Sequence, residues 1–279
     1  MPAIKRAACV IGWPAKHSRS PKLHGHWLQR YGIDGAYRIE EVRPEDFASF
    51  VQNLNANGYV GANITMPHKD AALALSEPDE RARAVGAANT LWLDDGRLRS
   101  TNTDVQGFIG ALDAAAPGWN ERIESAVVLG AGGAARAVVY GLIERGVKQI
   151  HVANRTFEKA EALRERFGPS VRPAHWQDIP RLLDGAKLLV NATSLGMKGQ
   201  PDLVIDLSVL ADDAVVSDII YVPLKTPLLV AAEQRGLKTS NGLDMLLHQA
   251  VRGFQLWFGI RPVVTRELFE LLAADIVKA

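Results

Sequence analysis

Residues 7–12, Ala-Ala-Cys-Val-Ile-Gly, form an apolar run between Arg6 and Trp13-Pro14, with the length and composition of a buried strand. Ser20-Pro21 reads as a helix N-cap with proline at the first helical position, and Leu23, Trp27, Leu28 and Tyr31 then share one face. Tyr37 to Val42 alternates like a half-buried strand. Pro44 opens a helix with Phe47, Phe50, Val51 and Leu54 inward, and Gly61 to Thr65 is a short strand. Leu91-Trp92-Leu93 and Arg97-Leu98-Arg99, joined through Asp94-Asp95-Gly96, read as a hairpin. Strand and helix patterns alternate, which predicts an α/β architecture.

The pattern changes in the second half. Val127-Val128-Leu129, Gln149 to Ala153, Leu188 to Asn191 and Ala214 to Ile219 read as strands of a buried parallel sheet. Gly242 to Phe258 is helical, with Leu243, Leu246, Leu247, Ala250, Phe254 and Trp257 at helical spacing. No internal repeat or low-complexity tract interrupts the chain. Two domains follow, with a boundary near residue 105 and an active cleft expected between them.

The first strand of the second half feeds Gly130-Ala131-Gly132-Gly133-Ala134-Ala135-Arg136, the outline of a dinucleotide site. Gly130 and Gly132 permit a tight turn and close approach of a pyrophosphate, the next helix offers its N-terminal amides, and Ala135 takes the third small position. The following strand ends in Asn154-Arg155-Thr156, where an NAD site usually carries an acid. Arg155, with Lys159 one helical turn on, suits a 2′-phosphate and favours NADP.

Composition narrows the ligand. The 279 residues are 47% hydrophobic and 23% charged with a formal net charge of +1, which fits a globular protein without a nucleic-acid or anionic-membrane partner. One cysteine, Cys9, excludes an internal disulfide and agrees with a reducing compartment, so a cytoplasmic location is expected. No apolar run approaches the roughly 20 residues that span a bilayer. Lys5-Arg6 before the first apolar run loosely imitates a signal peptide, but the run is short and meets Trp13-Pro14 rather than a cleavage site. The seven histidines are scattered, and His24 and His26 at i, i+2 do not share a helical face, so no metal site is expected. His17 suits a supporting role, and His68 and His248 carry none from sequence.

Four polar segments of the first half carry candidate chemistry. In Lys16-His17-Ser18-Arg19-Ser20-Pro21, an extended backbone would point Ser18 and Ser20 to one side as a pair of donors for a carboxylate; alternatively Ser20 is a helix cap. Asn63 and Thr65 share a strand face, and Lys69 follows Pro67, placed to transfer a proton to a carbonyl oxygen. Asn89-Thr90 is the third segment and Asn102-Thr103-Asp104 the fourth. Asp104 is the carboxylate partner of Lys69, the N-cap of the next helix, or both.

Taken together, Gly12-x-Pro14-x-x-His17-Ser18-x-Ser20-Pro21, Asn63-x-Thr65-x-Pro67-x-Lys69, Asn89-Thr90, Asn102-Thr103-Asp104, Gly130-Ala131-Gly132-Gly133, Asn154-Arg155-Thr156, Asn191-Ala192-Thr193-Ser194 and Gly242-x-x-Met245-x-x-x-Gln249-Ala250 resemble the shikimate dehydrogenase family over almost the whole chain. The resemblance implies NADP-dependent interconversion of 3-dehydroshikimate and shikimate in aromatic amino-acid biosynthesis. It implies that Ser18 and Ser20 bind the substrate carboxylate, that Asn63, Thr65, Asn89, Asp104 and Gln249 contact or support the ring hydroxyls, and that Lys69 and Asp104 form the catalytic pair. Tyr221 matches a tyrosine lining the cleft. The implied cofactor set is Gly130, Ala131, Gly132, Gly133, Ala134, Asn154, Arg155, Thr156, Lys159, Thr193, Ile219, Gly242 and Met245. The implied domains are a substrate domain of residues 1–104 and 242–279, to which the C-terminal helices return, and a Rossmann-like domain of residues 105–241, in a monomer or homodimer.

Three positions depart from the family pattern. Val105 and Asp244 stand where glycine is common, and Lys159 replaces a frequent arginine of the phosphate clamp. Two other readings compete: a quinate or dual quinate/shikimate dehydrogenase, disfavoured by the two serines and Arg155, and a non-catalytic nicotinamide sensor, which would have no need of Lys69, Asp104 and the serines together.

Overall fold

The polypeptide alternates strand and helix from its first described residue. The structure is a computed structural model and describes residues 6–277; Lys5, of the basic pair before the first apolar run, lies outside them. In chain order the elements are β1 (Arg6–Gly12), α1 (Ser20–Arg30), β2 (Gly35–Glu41), α2 (Phe47–Gln52), β3 (Tyr59–Ile64), α3 (Lys69–Ala74), β4 (Glu77–Pro78), α4 (Glu80–Val85), β5 (Thr90–Asp94) and β6 (Arg97–Thr101). They continue with α5 (Asp104–Ala115), β7 (Ser125–Leu129), α6 (Gly133–Glu144), β8 (Gln149–Asn154), α7 (Phe157–Phe167), β9 (Val171–His175), α8 (Ile179–Leu183), β10 (Leu188–Asn191), β11 (Val215–Asp218), α9 (Pro227–Gln234), β12 (Lys238–Ser240), α10 (Gly242–Phe258) and α11 (Arg266–Val277).

The chain divides into two compact units, Met1–Thr103 with Gln249–Leu272, and Asp104–His248 with Ala273–Ala279. The first holds a mixed sheet of order β2-β1-β3-β5-β6-β4. β1 pairs in parallel with β2 and β3, whereas β3-β5 and β5-β6 are antiparallel. Asp95-Gly96 closes the β5-β6 hairpin with both residues at positive φ, 48° and 78°, the conformation a two-residue turn between twisted strands requires. Phe47, Val51, Leu54, Ile11, Ile64 and Leu91 fill one core cluster. A fully buried Leu, Ile, Val or Phe contributes roughly 1.5–3 kcal/mol.

Two local expectations change here. Pro44 does not open α2; residues 44–46 form a turn, closed by Asp46 N–H to the Arg43 carbonyl at 3.0 Å, and the helix starts at Phe47. Ser18 and Ser20 do not lie on an extended strand. The Ser18 amide donates to the Ala15 carbonyl at 3.0 Å, closing a turn, and Ser20 is the first residue of α1 with Pro21 second. Arg19, not Ser20, is therefore the capping position, and the Ser18 hydroxyl accepts the Ser20 amide at 3.3 Å.

The second unit contains a wholly parallel sheet of order β12-β11-β10-β7-β8-β9. Its strands are buried on both faces: Ala126 and Val128 belong to one core cluster, Val127 and Leu129 to the other, and Leu188, Val190 and Leu189 divide the same way. This is why the strands read as unbroken apolar runs rather than alternations. The chain reverses direction across the sheet between β7 and β10, so the crevice beyond their carboxyl ends is the expected ligand position of an open α/β sheet. Among the described residues no helix is long and apolar enough to cross a membrane.

Candidate active site

In the first unit, β3 and its neighbours bring three amides together. Asn63 and Asn89 are buried, as are Thr90, Thr103 and Gln249. The Thr103 N–H can only donate, so it fixes Asn89 Oδ1, at 2.7 Å. Asn89 Nδ2 is thereby turned to Gln249 Oε1 at 3.5 Å, which also accepts the Thr103 hydroxyl at 3.3 Å. Asn63 Nδ2 donates to the Asn89 carbonyl at 3.3 Å and to Thr90 Oγ1 at 3.2 Å. Such a network has to be nearly complete, because a buried polar group left unpaired costs about 1–3 kcal/mol.

Lys69, half-buried, opens α3 next to this network. Its carbonyl accepts the Ala88 amide at 3.0 Å, tying it to the residue before Asn89. His68, which the sequence leaves without a role, anchors the same turn: its Nε2 lies 2.8 Å from the Val42 carbonyl, and its ring stacks on Phe47 at 4.3 Å and 4°. The Thr65 carbonyl accepts the His68 amide at 3.0 Å, placing half-buried Thr65 across the Pro67 turn from Lys69. Asp104 begins α5 in the second unit, directly after Thr103.

The second unit builds a different kind of site. Gly130 follows β7 at φ 99°, and a side chain there would press on the Ala192 carbonyl at 3.0 Å as well as on Thr193. The ends of β7 and β10 are thus in close approach at the point where strand order reverses. A β-carbon on Gly132 would meet nothing within 4 Å, and the neighbouring Gly133 and Ala134 begin α6 with its amides toward this open face. Open glycine backbone ahead of a helix N-terminus fits a pyrophosphate. Thr193 is held by Asn191 Oδ1, which accepts both its amide at 3.0 Å and its hydroxyl at 2.7 Å.

Asn154 Nδ2 donates to the Thr156 carbonyl at 2.8 Å, shaping the turn that exposes Arg155 and Thr156. Lys159 lines a cavity of about 650 Å³ with Ala131, Arg136 and Arg166. The sequence did not single out Arg136 and Arg166 beside this cavity; Arg166 lies two helical turns beyond Lys159 on the same side of α7.

Gly242, Ile219 and Met245 come together as well. The Gly242 amide donates to the Ile220 carbonyl at 3.1 Å, and a side chain at Gly242 would run into the Ile219 carbonyl. Ile219 and Met245 both pack on one core cluster of this unit. Asp244 has a local explanation: its amide donates to Asn241 Oδ1 at 3.0 Å and its carboxylate accepts Asn241 Nδ2 at 2.9 Å, a reciprocal cap on α10. The loop carrying half-buried Tyr221 follows Asp218, a buried carboxyl that accepts Thr226 Oγ1 at 2.7 Å and the Ile220 amide at 3.1 Å. Burial raises the Asp218 pKa above the usual carboxylate value, against these hydrogen bonds. His248 lies against Gly110, and burial lowers its pKa. Among the described residues, no group of three or more His, Cys, Asp or Glu is arranged to hold a metal ion.

Residues 10–91 match the family described as shikimate dehydrogenase substrate binding domain, 118–209 match shikimate/quinate 5-dehydrogenase, and 242–264 match the shikimate 5′-dehydrogenase C-terminal domain. Shikimate dehydrogenase (NADP(+)) of Rhodopseudomonas palustris strain TIE-1 is 67% identical over 276 residues, covering 99% of each chain. The enzyme of that name from Nitrobacter hamburgensis is 62% identical, over 97% of this chain and 95% of the other. Among solved structures, shikimate 5-dehydrogenase of Thermus thermophilus, in complex with NADP(H) and shikimate, aligns at a TM-score of 0.85 with 34% identity, covering 97% and 99% of the two chains. Quinate dehydrogenase of Corynebacterium glutamicum, in complex with NAD, aligns at 0.89 with 32% identity and the same coverage.

Proposed function

Because this chain belongs to the shikimate/quinate dehydrogenase family, we propose that it is the NADP-dependent enzyme that reversibly reduces 3-dehydroshikimate to shikimate. The observation that carries the reading is the buried amide set Asn63, Asn89 and Gln249, tied through Ala88 to the backbone of Lys69. A ring bearing several hydroxyls is held by fixed amides of this kind, and a lysine beside them serves the carbonyl oxygen.

The nicotinamide cofactor supplies or accepts the hydride when bound. In the reductive direction Lys69 stabilises the charge developing on the substrate oxygen and donates its Nζ proton there, while Asp104 orients the lysine and the neighbouring hydroxyl. Ser18 and Ser20 hold the carboxylate, and Thr65 and Tyr221 complete the substrate set. Asn63, which donates to the Asn89 carbonyl and to Thr90 Oγ1, contacts the ring hydroxyls or supports the residues that do.

In the second unit Gly130, Ala131, Gly132, Gly133 and Ala134 present backbone to the pyrophosphate, and Thr193, Ile219, Gly242 and Met245 frame the rest of the dinucleotide. Asn154 and Thr156 shape the turn from which Arg155, with Lys159, meets the 2′-phosphate. Arg136 and Arg166 add positive charge along the same cavity.

An absorbance assay crossing shikimate and quinate with NADP and NAD tests the reading. Turnover mainly with shikimate and NADP is expected. Preference for quinate or NAD would move the protein to the quinate branch, and no turnover with any pair would leave a nicotinamide sensor.

A further inference from the structure

Two neighbouring strands of the parallel sheet end in buried polar residues. Asn191 closes β10 and Asp218 closes β11; they are partners in the strand register and are 0% and 1% exposed. The orientation of the pair is forced. An N–H only donates, so the Thr193 amide fixes Asn191 Oδ1, which also accepts the Thr193 hydroxyl. Asn191 Nδ2 is thereby turned to Asp218 Oδ1 and to the Leu195 carbonyl, both at 3.1 Å. Asp218 Oδ1 also accepts the Ile220 amide, and Oδ2 accepts the hydroxyl of Thr226, whose oxygen caps α9 by taking the Leu229 amide at 3.4 Å. The backbone links the same two loops on either side of this contact, from the Ile219 amide to the Asn191 carbonyl at 3.2 Å and from the Lys198 amide to the Val222 carbonyl at 2.9 Å. Both hydrogens of Asn191 Nδ2 and both lone pairs of its Oδ1 are engaged, so the amide acts on a ligand only through the turns it holds.

Strand order gives this pair a place along the cofactor. Gly130 follows β7, Arg155 follows β8 on one side of it, and Asn191 and Asp218 end β10 and β11 on the other. With the pyrophosphate at the glycine turn and the 2′-phosphate at Arg155, the adenosine half lies toward β8 and the nicotinamide half is left to β10 and β11. We propose that Asn191 and Asp218 are positioning residues for the nicotinamide half of the cofactor, holding Thr193 and Ile219 at one spacing through the hydrogen bond they share. This rests on the reading of Thr193 and Ile219 as dinucleotide residues. One amide fixes Thr193 through its oxygen and Asp218 through its nitrogen, so a shift of either turn is felt by the other. The adenosine half meets neither turn and binds without the pair.

The test is a double-mutant cycle of Asn191→Ala and Asp218→Ala in the full chain, read two ways. One is kcat/KM for NADP at saturating shikimate. The other is the calorimetric affinity for adenosine 2′,5′-bisphosphate, a fragment that carries the 2′-phosphate and lacks the nicotinamide. Each single change is expected to lower kcat/KM about ten- to a hundredfold, through a lost hydrogen bond and a misplaced ring, and to leave the fragment affinity within about twofold. The double variant should fall short of the product of the two factors by about threefold or more, because the shared contact is lost only once. Asp218→Asn keeps an oxygen for Asn191 and Ile220 and turns its amide to the Thr226 hydroxyl, so it should stay within about threefold of the wild type. An unchanged kcat/KM in either single variant overturns the proposal, and so do factors that multiply in full. A fragment affinity that falls together with kcat/KM overturns it as well, since the pair would then support the whole site. Equal damage from Asp218→Asn and Asp218→Ala would show that the carboxylate charge, not the shared contact, is what counts. Wild-type protein that binds neither NADP nor the fragment overturns the cofactor reading itself, and the proposal with it. If Asp218→Ala does not fold, Thr226→Val, which takes the donor from Asp218 Oδ2, replaces it in the cycle under the same criteria.

Discussion

The two sheets dispose their polar groups in opposite ways. The parallel sheet of the second unit keeps its interior apolar and offers backbone at its strand ends, with Gly130 and Thr193 brought together where the order reverses. The mixed sheet of the first unit instead buries polar side chains, Tyr37, Asn63, Thr90, Thr103 and Gln249, in one continuous network. A site made of backbone requires small residues at a few positions of one turn. A site made of side chains requires agreement among strands and helices far apart in sequence, and each member fixes the orientation of the next.

Substitutions at the two sites should therefore fail differently. The largest effect is expected at Lys69. Lys69→Ala should lower kcat by about 10²- to 10⁴-fold with little change in shikimate KM, since a general acid acts in the transition state; wild-type kcat in the purified variant would remove the lysine from the chemistry. In the second unit, Arg155→Ala should raise KM for NADP by roughly ten- to a hundredfold, the range of one charge-assisted hydrogen bond, and change KM for NAD much less. Equal effects on both cofactors would dissociate Arg155 from the 2′-phosphate.

Gly61 tests the packing beneath the side-chain network. A β-carbon there would collide with the Trp257 ring and the Leu91 carbonyl, which are themselves joined by the Trp257 Nε1 hydrogen bond at 2.8 Å. Gly61→Ala should cost about 1–3 kcal/mol in urea unfolding. A melt like that of the wild type would mean that the sheet and α10 separate easily.

The smallest effect is a pH dependence. Burial holds the His24 pKa down to about 3 from 6.5, with a weaker opposing effect from Asn63. The unfolded chain thus binds a proton that the folded one refuses. The stability His24 confers is complete above pH 6.5 and is lost as pH falls from there toward 3, by at most about 1.4 kcal/mol per unit. His24→Phe should flatten the loss of stability between pH 6.5 and 5. His151 and His248, also shifted down by burial, act in the same window in both proteins, so the difference between the two curves is the readout. Parallel curves would show that His24 is protonated in the folded state.

Legibility followed the same division. The glycine turn lies within one strand-turn-helix, so Gly130, Gly132 and Ala135 could be placed by counting along the chain. Four of the parallel strands, β7, β8, β10 and β11, could be found because burial on both faces leaves mostly apolar runs; the edge strands β9 and β12, with exposed polar positions, carry no such run and were not read. α10 matched its expected limits, Gly242 to Phe258, because its apolar positions keep helical spacing throughout. The start of α1 was misplaced by one residue: a serine before a proline has the composition of a cap, but the Ser18 hydroxyl takes the Ser20 amide. α2 started later than Pro44 because a turn there uses the same residues a helix start would.

The α/β class, the longer strands and helices, the glycine turn after β7 and the motifs that carry the family resemblance were determined by the sequence alone, since each depends on residues within a few positions of one another, whereas short elements such as α3, α4, β9 and β12 were not. Only the tertiary structure decided that Tyr37 meets Asn63, that Gln249 of α10 joins Asn89 and Thr103, and that His68 anchors the turn before Lys69. Hydrogen bonds between side chains remote in sequence exist only after the sheet has set its register, and which way each amide faces is settled by its neighbours rather than by its own position in the chain.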